Sequence, residues 1–143
     1  MATFEMTEWV ARSPMDVFQF VTDPANAPKV IPSVVRMETL TDGPVGVGTR
    51  YRETRMMDGK EQQAELEVVV FEDGSRYSFR NETQGIETVY EYDFHPEKTG
   101  TRIHLTGHVN AKGIKKAVVP VVINVLKKED GDHLLRLKNT MEV

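Results

Sequence analysis

The segment GIKKAVVPVVINVLKKEDGDHLLRLKNTM, residues 113–141, decides the fold. Ile114, Val118, Val121, Val122 and Val125 recur at three- and four-residue intervals, with Leu126 beside them. That spacing makes one stripe along a helix. Lys115, Lys116, Asn124, Lys127 and Lys128 fall largely off the stripe. Further on, His133, Leu134, Leu137 and Met141 continue an apolar side, rotated by roughly a quarter turn at about 100° per residue. Gly131 stands at the change of phase, and a helical glycine costs about 1 kcal/mol relative to alanine. Pro120 lacks a backbone donor and suits a first helical turn. The segment therefore reads either as a bent helix, or as a short turn over 114–119 followed by a main helix with Pro120 in its first turn. If continuous, about 28 residues at ~1.5 Å each would span roughly 42 Å. An eight-residue strand reaches about 27 Å, so such a helix would cross a whole sheet. Valine is a poor helix former because its χ1 is restricted. Burial of the stripe against a partner surface must therefore hold the helix.

Upstream of this segment the pattern is strand. Thr3 to Ala11 alternates, with Phe4 and Met6 on one side and Trp9 on the other. Ser13-Pro14-Met15-Asp16 then opens a helix: Ser13 is a good N-cap, Pro14 suits the first position, and Asp16 sits at the positive end of the dipole. Asp23-Pro24 ends it, and a second short helical piece runs to about Val30 before Pro32. Strands continue over 33–40, 49–57, 61–72, 76–83, 87–94 and 101–111. Asp58-Gly59 and Asp73-Gly74 are hairpin signals. The glycine-rich loop from Asp42 to Gly48 leads into a strand and lacks the P-loop lysine, so it is a strand connection and not a phosphate cradle. Connections are short with no intervening helices, which predicts an antiparallel sheet.

The chain has 143 residues, one domain's worth over 1–143. Hydrophobic residues make up 39% and charged residues 28%, a balance that supports a packed core. The net charge of −4 argues against a general nucleic-acid binder. There is no cysteine, which excludes disulfides, thiolate nucleophiles and cysteine metal sites. The first residues lack the basic-then-apolar plan of an export signal, and no apolar run approaches the ~20 residues of a membrane span. The expected compartment is the cytoplasm. An edge strand offers a route to a homodimer.

The order is one strand, two short helices, about six antiparallel strands and a long helix. It is carried by Ala11-Arg12-Ser13-Pro14-Met15-Asp16-Val17-Phe18 with Asp23-Pro24, by Val47-Gly48-Thr49-Arg50-Tyr51, by Gly100-Thr101-Arg102-Ile103-His104-Leu105, and by Leu134-Leu135-Arg136-Leu137-Lys138. Over essentially its full length the chain resembles the helix-grip, START-like SRPBCC superfamily, shared with the birch-pollen allergen, and most of all its polyketide cyclase/dehydrase-type branch. The resemblance implies an α+β fold: a curved antiparallel sheet of about seven strands gripping the C-terminal helix, with an apolar cavity between them. Family members bind lipids, sterols, polyketides, quinones or hormones. Some catalyse cyclisation or dehydration, and others are carriers, sensors or chaperone regulators.

In that frame Tyr51, Leu66, Phe79, Tyr92, Leu105, Val118, Val122 and Leu126 are expected to line the cavity, and no cofactor is implied. Tyr51 shares its strand face with Glu53 and Arg55. If Tyr51 points inward, the Glu–Arg pair orients a polar ligand end or assists acid–base chemistry; otherwise it is a solvated cross-strand pair. Tyr77, Tyr90 and Tyr92 offer phenolic hydrogen bonds or serve as core. His104 and His108 lie on one strand face about 13 Å apart and cannot share a metal. His133, near Glu129 and Asp132, is expected at the surface or in a cap. Three roles compete: a carrier or sensor of a small hydrophobic or aromatic ligand, a cyclase or dehydratase, and a protein-interaction module.

Overall fold

The computed structural model describes residues 2–143. Strand β1 (Ala2–Val10) leads into α1 (Pro14–Thr22), a 3₁₀ turn (Pro24–Asn26) and α2 (Ala27–Val30). Strands β2 (Val34–Thr39), β3 (Arg50–Met57), β4 (Lys60–Glu72), β5 (Arg76–Thr83), β6 (Ile86–Glu97) and β7 (Gly100–Ala111) come next. A second 3₁₀ turn (Gly113–Val118), α3 (Val119–Asp130) and α4 (His133–Met141) complete the chain.

The seven strands form one antiparallel sheet in the order β1-β7-β6-β5-β4-β3-β2. Strands β2 to β7 are a meander, and β1 closes it by pairing with β7. The first two strands thus lie at opposite edges. Residues 11–33 must cross the width of the sheet, and α1 and α2 make that crossing. Ser13 caps α1 as expected, its Oγ accepting from the Asp16 N–H at 3.2 Å. Asp58-Gly59 turns β3 into β4 with both residues at positive φ (51° and 76°), the conformation of a two-residue hairpin. Gln84-Gly85 makes a similar turn between β5 and β6, with Gln84 in the place where aspartate stands in the other hairpin. A bulge between Val68 and Val70 bends β4 and helps curl the sheet.

Alternation sends Phe4, Val10, Tyr51, Leu66, Val68, Tyr77, Tyr90, Tyr92, Phe94, Ile103, Leu105 and Val109 to one face, where all are buried. Helix α3 covers this face over β1 and β7; α4 packs on β1 and α2. The C-terminal segment takes the second of its two sequence-predicted forms, a short turn and then a helix that holds Pro120 in its first turn. It breaks at Gly131, where a Cβ would sit 2.2 Å from the Lys127 carbonyl oxygen.

The second half of the segment buries the expected side, His133, Leu134, Leu137 and Met141, but the stripe of the first half that faces the sheet is not the one expected. Val119, Ile123, Asp130, His133, Leu134, Leu137 and Met141 are buried. Ile114 is 90% exposed, Val121 62%, and Val118 and Val125 40% each. The reason is twofold. Residues 113–118 wind as a 3₁₀ helix with three residues per turn, which shifts the phase of α3 behind it. Val119, Ile123 and Leu126 form a second, equally well-spaced stripe within the same valine-rich run.

Gly107 of β7 lies under the Phe4 ring, and a Cβ there would come within 2.3 Å of it. Gly107→Ala is expected to cost about 1–3 kcal/mol in urea unfolding. With Phe4→Ala also present, the cost of Gly107→Ala should shrink sharply, and an additive pair would count against this contact.

Candidate ligand cavity

The concave face meets the helices around a cavity of about 60 Å³. Its floor is Tyr51 of β3, Leu66 of β4, Tyr77 and Phe79 of β5, and Tyr90 and Tyr92 of β6. Strand register puts these side by side: Tyr51 pairs with Leu66, Tyr77 with Tyr92 and Phe79 with Tyr90. The Phe79 and Tyr90 rings lie 5.3 Å apart between centroids, and Tyr77 and Tyr92 5.9 Å. His133 and Leu137 of α4 form one wall. The segment Phe20–Ile31 and Met37 form the other, and the half-buried Phe20, Pro24, Ala27 and Met37 mark its solvent side. A second, more open cleft of about 220 Å³ runs between β3–β6 and α3, past Val125, Leu126 and Glu129. Glu53, Arg55, Leu66, Phe79 and Tyr90 border both spaces.

The partition between them is polar. Arg55 Nε donates to Glu53 Oε1 at 2.7 Å, and Arg55 Nη1 to Asp130 Oδ1 at 2.9 Å. The Tyr90 hydroxyl donates to the other Asp130 oxygen. Asp130 is fully buried, and Glu53 is 8% exposed. Burial alone would lower the Arg55 pKa; Glu53 and Asp130 outweigh it, and the guanidinium is held well above its usual value and stays charged. Burial, then the Asp130 charge, raises the Tyr90 hydroxyl well above the ordinary phenol range, so it remains a donor.

Tyr92 and His133 form a second pair, with the hydroxyl 2.8 Å from Nε2. Burial pushes the His133 pKa down to about 4, opposed by the nearby Asp130 charge and the Val30 backbone, while Arg55 adds to the drop. The imidazole is therefore neutral at pH 7. Burial also raises Tyr92, so two neutral groups share this hydrogen bond, and its direction follows the imidazole tautomer. Nδ1 lies near the Val30 backbone without a hydrogen bond of good geometry. Among the described residues the buried Tyr51 hydroxyl has no hydrogen-bond partner. Burial first, and the Asp23 charge second, raise its pKa.

Of the residues expected to line a cavity, Tyr51, Leu66, Phe79 and Tyr92 surround the inner space. Leu126 borders the outer cleft. Leu105 is fully buried core on β7, and Val122 packs half-buried against the core; neither borders the two spaces. Val118 faces solvent in the 3₁₀ turn. Glu53 and Arg55 point inward. His133, expected at the surface or in a cap, opens α4 and is 4% exposed against Tyr92, because α4 takes up the phase of the buried stripe. Asp130 is a site residue that the sequence reading misses. Its signal is nevertheless present: positions 119, 123, 126, 130, 134, 137 and 141 repeat at three and four. An aspartate on such a stripe must find a buried cation.

The sequence profile of the family described as "Polyketide cyclase / dehydrase and lipid transport" matches residues 1–142. No curated protein was found to match the sequence. Among solved structures, the chain is similar to Ara h 8.0201, with 19% identity, 99% of each chain covered and a TM-score of 0.78. It is similar to the di-domain ARO/CYC BexL from the BE-7585A biosynthetic pathway, with 19% identity and a TM-score of 0.81, covering 99% of this chain and 47% of that one. TTHA0849 from Thermus thermophilus shares 18% identity over 96% of this chain and 95% of its own, with a TM-score of 0.76. At these identities the likeness is one of fold.

Asp130→Ala leaves Arg55 with Glu53 as its one carboxylate and strands the Tyr90 hydroxyl, and is expected to cost about 1–3 kcal/mol in chemical denaturation. Asp130→Asn, which keeps an acceptor for Tyr90, should cost less; a loss below about 1 kcal/mol for the alanine variant would contradict the buried pair. His133 carries a pH signature. The folded pKa of about 4 lies below the unfolded 6.5, so this stabilisation is complete above pH 6.5 and is lost as pH falls toward 4. The full loss is about 3 kcal/mol. The stability gap between the wild type and His133→Gln should therefore narrow across that window, and a constant gap would refute the assignment.

Proposed function

Because the chain belongs to the polyketide cyclase/dehydrase and lipid transport family, we propose that it is a cytoplasmic carrier or sensor of a small hydrophobic or aromatic ligand. The ligand lies between the sheet and the C-terminal helices. The observation that carries this reading is the Tyr51 hydroxyl, buried without a partner in a space walled by aromatic side chains. Native proteins rarely leave such a group unmatched. A ligand oxygen accepting from it, with the Glu53–Arg55 pair alongside, supplies orientation, and the aromatic floor supplies affinity.

Magnitudes shape the reading. Burying eight ligand carbons contributes about 6 kcal/mol at ~0.8 kcal/mol each, before association costs. That supports micromolar binding, sharpened by about 1 kcal/mol for the tyrosine hydrogen bond. The inner cavity of about 60 Å³ has space for a few waters, whereas ligand sites usually occupy about 300–1,000 Å³. Binding therefore opens a wall. The one that yields is residues 23–31, built from a three-residue 3₁₀ turn and a four-residue helix.

A second reading is favoured by the depth of the ionisable groups. Glu53 and His133 border the inner cavity and are nearly inaccessible to solvent. In a cyclase or dehydratase acting on a polyketide-like substrate, Glu53 or Tyr51 moves a proton and Arg55 steadies the developing oxyanion. Glu53→Gln would then abolish product formation while leaving substrate binding in place.

The carrier reading is tested by thermal shift against fatty acids, quinones and polyphenols. Members of at least one class should raise the melting temperature. Tyr51→Phe should stabilise the unliganded protein by removing an unmatched hydroxyl, yet weaken binding about fivefold. If no class shifts the transition, or Tyr51→Phe leaves affinity unchanged, the reading fails.

A further inference from the structure

Helix α3 has two apolar stripes, and only one is covered. On a helical wheel at about 100° per residue, Val119, Ile123, Leu126 and Asp130 cluster toward the sheet. Val118, Val121 and Val125 cluster about 130° away from them. These three face solvent, and Ile114 in the preceding turn is 90% exposed. Four large apolar side chains in water within twelve residues are not a random scatter.

The charges around them are one-sided. Lys112, Lys115, Lys116, Lys127 and Lys128 are all exposed. Residues 112–128 contain no acidic side chain, although the whole chain is acidic at −4. Among the described residues, Lys138 is the one lysine in an ion pair, with Glu142, so these five are unpaired. Apolar side chains flanked by unpaired lysines on a short helical segment form a surface that lies in a lipid headgroup layer.

We propose that residues 112–128 dock on a bilayer surface bearing anionic lipid. Ile114, Val118, Val121 and Val125 enter the interface, and Lys112, Lys115, Lys116 and Lys128 meet lipid phosphates and carboxylates, while Lys127 projects from the other side of α3. Charge decides the occupant. A symmetric second copy would set the same cationic face against itself, which repels. An anionic lipid surface is complementary to the lysines on this face, and its local potential acts within about a Debye length. Val125 also borders the outer cleft, so docking brings that opening to the membrane. The surface requires nothing of the inner cavity; it adds to the carrier reading a place where an apolar ligand is collected or delivered.

Co-sedimentation of the full chain with vesicles tests it. Vesicles one-third phosphatidylserine in phosphatidylcholine should retain the protein at low salt and release it at high salt, while pure phosphatidylcholine should retain little. Lys115→Gln with Lys116→Gln should weaken binding about 25-fold, since each lysine near an anionic surface is worth roughly a factor of five. Val121→Ser with Val125→Ser should weaken it too, without changing the salt response. Both pairs lie at exposed positions, so circular dichroism should show the fold intact. Thermal-shift responses to soluble apolar ligands should be unaffected by the lysine pair, which separates failure here from failure of the cavity reading. The proposal is overturned by equal binding to both vesicle types, by insensitivity to the lysine pair, by equally tight binding to polyglutamate, which would indicate an acidic protein partner, or by self-association lost with the same variants.

Discussion

One buried ion pair ties the two halves of the molecule together. Arg55 comes from β3, one strand in from the sheet edge, Asp130 from the last turn of α3, and they meet at 2.9 Å with little solvent access. If the helix lifts off the sheet, Asp130 loses its cation and Arg55 one of its two carboxylates. A purely apolar contact would tolerate sliding, because greasy surfaces repack. A guanidinium held between two carboxylates does not. The pair therefore sets where α3 ends, and Gly131 and Asp132 let the chain turn at that point and restart as α4. The Glu53 contact and the Tyr90 hydroxyl satisfy the remaining polar atoms, which is the condition under which buried charge is tolerated.

The same cluster gives the interior its character. It divides the hollow into a small enclosed space and a wider open one. Phe79 and Tyr90 on the sheet floor face both, Tyr51, Tyr77 and Tyr92 face the inner space, and the polar groups concentrate at the divide. A ligand that spans the divide must exchange contacts with Arg55 and Tyr90, and one confined to the inner space meets Tyr51 and the neutral His133. The fold supplies the hollow, and the side chains at the divide set what it accepts.

Much of this architecture was legible in the sequence. Alternation in 51–55, 66–70, 77–79 and 90–94 placed the floor residues on one face, and Ser13, Asp58-Gly59 and Pro120 marked the cap, the hairpin and the helix start. The phase of the C-terminal helix was not legible. With Val118, Val119, Val121, Val122, Ile123, Val125 and Leu126 all apolar, two stripes competed, and hydrophobicity alone does not choose between them. Asp130 broke the tie, because only one stripe brings it to Arg55. That pairing joins residues 75 positions apart, and no local pattern reveals it. His133 was misplaced for the same reason: its burial is set by the chosen phase and not by its neighbours in sequence.

The placement of β1 has a temporal consequence. Thr7 pairs with His104 and Ala2 with Val109, so the first strand can join the sheet only after the last strand exists. During synthesis the N-terminal strand must wait for more than two-thirds of the chain, while β2 to β7 assemble as sequential hairpins. Non-local closure of this kind slows folding, because loop entropy is lost before the contacts that offset it are made. Until then β7 presents an unpaired edge, and the interval before β1 docks is when the chain is most exposed to intermolecular strand pairing.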